Sequence, residues 1–244
     1  MTKCGRRTHG GLNVTSLHEL IEPWWEESAE HPVKRGQLVH AFVPHIGVSP
    51  YVLDSEGRAE PTEHRRATVT IRPLRIADRR SRPTLPVAAL PQHPGEVWAT
   101  FRSKVRPCLV LSTGGTDVPK ALRPHSSPRW QSAPTILVAP YYGASRTGQR
   151  SGWHEPFLDR IRCGEYPQFL LDSLPLRGPA ESVLRLDHIL PIGRHHHSFT
   201  PLKHVLSKDA LDLVDEWLEW LFRDSLSEDA ALTTVRSLLM EDLV

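Results

Sequence analysis

The chain has 244 residues, with Lys+Arg 30 against Asp+Glu 28, a near balance that by itself does not imply a polyanionic partner. Three cysteines (Cys4, Cys108, Cys163) have no metal-ligand spacing and are too few and odd in number for a disulfide scaffold. No apolar run approaches membrane-spanning length and the N-terminal MTKCGRRTHGG lacks a signal-peptide core, so a cytoplasmic protein outside the membrane is expected.

The distribution of charge is more informative than its sum. Residues 62–82 hold seven arginines against two acids, and 114–152 hold five basic residues against Asp117 alone. Residues 207–244 reverse the sign, with ten acids against three basic residues. The 22 prolines are spread along the chain, which favours turns and short strands over long helices.

From Ser16 a helix is expected. Ser16 and Glu19 form a capping-box pair, and Leu17, Leu20, Ile21, Trp24 and Trp25 share a helical stripe that Pro23 interrupts. Residues 36–43 and 67–71 read as strands separated by a polar, glycine-containing loop. The RRSRPTLPVAALPQHP stretch is a proline-broken connector, and it sets an expected boundary between an N-terminal extension (1–93) and a second unit (94–222).

The second unit opens with strands at 97–101 and 107–111, joined by a tight basic turn at 102–105. A loop rich in Gly, Pro and Ser follows. Residues 135–139 are a continuous apolar run, the mark of a buried strand. Residues 155–163 read as a short helix terminated by Gly164, and 169–171 and 183–192 supply further strands. Ser207 is an N-cap for a helix striped by Leu211, Val214, Leu218 and Leu221 and widened by Trp217 and Trp220. A second helix is expected after Ser227, within an acidic tail over 223–244. That tail either packs as an amphipathic helix or imitates the acidic segments by which a partner blocks a basic site.

The order PGEVWATF (94–101), KVRPCLVLS (104–112), TILVAP (135–140), ESVLRLDHILPI (181–192) and LSKDAL (206–211) resembles the MazF/PemK family of toxin endoribonucleases. The resemblance covers about half the chain. It implies an α+β fold: an SH3-like, MazF-type β-barrel with a C-terminal helix, here preceded by an extension of short strands and a helix. It further implies cleavage of single-stranded RNA, without metal or other cofactor, to 2′,3′-cyclic phosphate and 5′-hydroxyl ends. An antitoxin protein and a homodimer are the partners the family implies. The alternative is a MazF-like module that has lost chemistry and only binds RNA or a protein partner.

Metal-free RNA cleavage needs a base for the 2′-hydroxyl, an acid for the leaving 5′-oxygen, cations on the phosphorane and a surface that splays the bases. Arg106, at a strand mouth and followed by Pro107, suits phosphate contact, and the family places an active-site arginine there. Arg185 and Asp187 match an Arg-x-Asp spacing of the Kid branch, in which the arginine holds phosphate and the aspartate transfers a proton. Alternation puts both on one strand face and turns His188 away from Asp187. The family's long first loop is cut here to 102–105, and its threonine after the third strand aligns with Tyr142, with Ser145 as a nearby hydroxyl. Lys104, Lys120, Arg123, Arg129, Trp130, Arg146 and Arg150 combine cations with an aromatic platform, as single-stranded RNA binding requires. The consecutive His195, His196 and His197 cannot converge on one ion without a loop folded for it, so no metal site is assigned.

Overall fold

A computed structural model describes residues 21–58, 60–77, 88–92, 95–123, 132–145, 152–177, 181–195, 197–228 and 230–241. The strands are β1 (Trp25–Glu27), β2 (Gln37–Pro44), β3 (Tyr51–Gly57), β4 (Thr68–Pro73), β5 (Trp98–Thr100), β6 (Ser103–Ser112), β7 (Thr135–Gly143), β8 (Phe169–Ser173), β9 (Glu181–Arg185), β10 (Leu190–Gly193) and β11 (Phe199–Leu206). The helices are α1 (Glu155–Arg162), α2 (Lys208–Arg223) and α3 (Ala231–Glu241). The fold is α+β, its main sheet a curled half-barrel of mostly antiparallel strands in the order β1-β11-β2-β6-β7-β9-β8, with β10 on β7.

Contacts divide the chain into residues 1–42 with 105–244, and residues 43–104. This differs from the boundary expected at 93/94. The reason is long-range pairing: β1 lies against β11 with Trp25 opposite Leu206, and β2 lies against β11 with Ala41 opposite Phe199. The N-terminal strands are therefore part of the main sheet and not an appendage to it. The expected helix reaches described residues only from Ile21 onward, and there Trp24 is buried in the core while Trp25 begins a strand.

The smaller unit holds a three-stranded sheet, β4-β3-β5. Residues 51–57, expected as loop, pair instead with β4 (Leu53 opposite Ile71) and with β5 (Leu53 opposite Trp98). Consequently β5 and β6 are not partners in a hairpin, and the supposed turn at 102–105 runs into β6 itself.

One side of the main sheet is covered by α2 and α3. Leu38, Leu109, Ala139, Tyr141, Leu170 and Leu184 from the strands meet Leu213, Val214, Trp217 and Trp220 from α2. Ser207 Oγ accepts from Ala210 N at the head of α2, as a serine N-cap should, and Trp217 Nε1 donates to the Pro167 carbonyl at 2.8 Å. The C-terminal helix is built into this layer. Glu216 Oε2 accepts from Leu232 N at 2.8 Å, Arg236 Nε donates to the Gly164 carbonyl at 2.6 Å, and Leu232 is fully buried. The packing reading of the tail therefore applies through residue 241.

Candidate active site

Register brings the first two site residues together. In β6 and β7, Cys108 lies opposite Pro140 and Leu109 opposite Ala139, so the same register carried two residues further sets Arg106 across from Tyr142. Alternation along β7 then splits the tyrosine pair. Tyr141 turns into the core, where its hydroxyl donates to Asp172 Oδ2 at 2.9 Å. Tyr142 takes the other face and receives the Arg106 guanidinium over its ring, Cζ 4.1 Å from the centroid, a cation–π distance. Arg106 has no carboxylate partner among the described residues.

The next strand supplies the rest. β9 pairs with β7 (Tyr142 opposite Val183) and ends at Arg185, whose guanidinium lies 4.8 Å from the Phe169 ring and 5.9 Å from the Tyr142 ring. A strand had been expected through 183–192, but at Leu186–His188 the chain enters a single 3-10 turn. The turn buries Leu186 and swings the following two side chains back over Arg185. Asp187 meets it as a fork, Arg185 Nε to Oδ1 at 2.7 Å and Nη2 to Oδ2 at 2.6 Å.

His188 arrives on the same side, which corrects the expectation that it faces away. Its Nε2 is 2.8 Å from Arg185 Nη2 and its Nδ1 is 2.9 Å from the Tyr142 hydroxyl oxygen. Strand alternation does not govern a residue that has left the strand. His188 is therefore a site member that strand periodicity alone misplaces, and Pro191 does not mark the break, since it lies inside β10 opposite Leu137.

The electrostatics give the groups different protonation states. Burial pushes the Asp187 carboxyl up, but the hydrogen bonds and charge of Arg185 outweigh it and hold the group below the usual carboxylate range. Burial first, then the Arg185 charge, lowers His188, so the imidazole is neutral near pH 7. Burial raises Tyr142 more than Arg106 and Arg185 lower it, so the phenol keeps its proton. The buried Cys108 thiol nearby is pushed up to about 12, chiefly by burial, and stays a thiol.

Other residues singled out from the sequence lie elsewhere. Ser145 is exposed beyond the end of β7, with no hydrogen bond to the cluster among the described residues. Lys104 is exposed on β6, in the part of that strand belonging to the smaller unit. Lys120 opens a short 3-10 turn and Arg123 follows it, its Nε buried and unpartnered among the described residues. Arg129, Trp130, Arg146 and Arg150 lie outside the described residues. Among the described residues no cluster of His, Cys, Asp or Glu can hold a metal ion, and no helix is long and apolar enough to cross a membrane. A cavity of about 410 Å³, lined by His31, Ile136, Arg194, His195 and Phe199 among others, sits at the far end of β7 from the cluster.

The fold and the cluster define a class: an α+β half-barrel carrying two arginines, a phenol, a carboxylate and an imidazole on one sheet face. Beyond that class, comparison with protein-family models, with curated proteins and with solved structures finds no match.

Proposed function

We propose that the chain is a metal-independent endoribonuclease of the MazF/PemK kind, cutting single-stranded RNA by attack of the 2′-oxygen on the adjacent phosphate. The observation that carries this reading is the convergence of Arg106, Tyr142, Arg185 and Asp187, drawn from β6, β7, β9 and the turn after it. Two guanidiniums beside one phenol suit a phosphorane whose charge grows as it forms. Asp187, held ionised, serves as base for the 2′-hydroxyl, while Tyr142, held neutral, serves as acid for the leaving 5′-oxygen. A toxin or defence role, an antitoxin that covers the site and a homodimer belong to the same proposal and rest on the family resemblance.

One observation favours the second reading, a module that binds without cutting. The Arg185 fork is already filled by Asp187 and leans on His188, which leaves Arg106 as the less engaged guanidinium. An end-group assay on single-stranded RNA with EDTA present separates the two. Wild type should leave cyclic phosphate and 5′-hydroxyl ends, and Arg106→Ala and Asp187→Ala should both greatly reduce them. RNA bound but intact selects the binding module; RNA neither bound nor cut points to a protein partner.

A further inference from the structure

His188 has two ring nitrogens, and its neighbours decide which carries the proton. A guanidinium can only donate. The His188 Nε2 facing Arg185 Nη2 at 2.8 Å is therefore the bare, accepting nitrogen, and the neutral ring bears its hydrogen on Nδ1. That hydrogen points at the Tyr142 hydroxyl oxygen, 2.9 Å away, which accepts it. The phenol's own proton then finds no acceptor among the described residues and is directed out of the cluster. Asp187 anchors the far end of this chain by fixing the Arg185 fork.

We infer that His188 is a positioning residue that makes Tyr142 an obligatory proton donor toward an oxyanion held beside Arg106 and Arg185. The identity of that oxyanion, an RNA phosphate, rests on the function proposed above. In that step the 2′-oxygen forms a bond to phosphorus and Asp187 takes the 2′-hydroxyl proton. The bond from phosphorus to the 5′-oxygen breaks, its electron pair stays on that oxygen, and the phenolic proton follows it. The phenolate left behind is stabilised by His188 Nδ1–H and by Arg106 and Arg185, and solvent returns the proton from Asp187. The charged and titratable groups facing Tyr142 are Arg106 and Cys108 from β6, Arg185 from β9, and Asp187 and His188 from the turn.

The test has a spectroscopic arm and a kinetic arm. In the full chain with nitrogen-15-labelled histidine, the His188 signals are assigned by their loss in His188→Asn. At pH 7 the ring should show a protonated Nδ1 and a bare Nε2. A proton on Nε2, or an imidazolium, refutes the inference. In the kinetic arm, His188→Phe should lower kcat roughly 10- to 100-fold, within the range of acid–base catalysis, at little change in KM. It should also move the alkaline limb of the pH profile upward, because the phenolate loses a donor. His188→Asn, whose amide reaches the place of Nδ1–H, should restore most of the rate. Equal losses in both variants with an unmoved limb would mean that His188 only fills space, against the inference. If wild type leaves RNA intact, the nuclease reading falls on its own, and the ring-nitrogen measurement still decides the placement of the proton.

Discussion

Adjacent residues of β7, Tyr141 and Tyr142, each hydrogen-bond a group brought from elsewhere in the chain, yet only one arrangement is open to chemistry. Tyr141 donates to Asp172, which also accepts from Trp25 Nε1 at 3.3 Å, and both Tyr141 and Asp172 are buried. Burial, reinforced by the Asp172 charge, raises Tyr141 well above the usual phenol range, so its proton has nowhere to go. Tyr142 on the opposite face is half-buried and flanked by Arg106, and its partner His188 donates where Asp172 accepts. Similar residue types thus make a brace on one face and a site on the other. The difference is cationic neighbours and solvent access.

That contrast can be broken experimentally. The largest effect is expected at Asp187: replacement by Ala should cut RNA cleavage by about 10² to 10⁴, the usual worth of a positioned base. Its stability should fall by less than about 1 kcal/mol in urea unfolding, because the pair is half-exposed. Asp172→Ala should do the reverse. It strands the Tyr141 hydroxyl and the Trp25 indole N–H and should cost about 3 kcal/mol of stability. A catalytic collapse in Asp172→Ala with unchanged stability would erase the distinction between the two faces. Leu232→Ala, which hollows the layer between α2 and α3, should cost about 2 to 3 kcal/mol. It should leave the chemistry of the cluster intact, because Leu232 packs on the Tyr141 face of the sheet and Tyr142 takes the other.

The smallest effect is in pH. The folded chain holds His188 below its ordinary value of 6.5, so between the folded and unfolded values the unfolded chain binds more protons. Stability from this group is complete above about 6.5 and declines as pH drops through the window beneath it. Thermal melts from pH 8 to 5 should show a shallower decline for His188→Asn than for wild type. Asp187 acts in the same direction at lower pH, its contribution being lost only as pH falls below 3.8 toward its lowered folded value.

The closeness of Arg185 and Asp187 was legible because one three-residue motif holds both, whereas Arg106, expected at a strand mouth, lies inside β6 and meets Tyr142 through the β6–β7 register. The helix after Ser207 was legible for the same local reason: a cap followed by a stripe. His188 was not, because its orientation depends on whether the strand survives past Arg185, and the backbone resolves that by turning at Leu186. Strands β1 and β11 were missed because their partner is far away in sequence. β11 contains Pro201 and a register shift between Pro201 and Val205, which blur any two-residue period. Pairing across most of the chain leaves no local mark, so the sheet's true membership could not be read from neighbouring residues.

The sheet order has a consequence for the chain as a piece of engineering. β2 and β6 are neighbours in the main sheet, and the whole of residues 43–104 departs from the end of one and returns at the start of the other. Two adjacent antiparallel strands are ordinarily linked by a hairpin of two to five residues, so this stretch occupies the place of a turn. In chain order the smaller unit is thus an insertion between two neighbouring strands, and a change of its length or sequence alters a connection and not the strand order that carries Arg106, Tyr142 and Arg185.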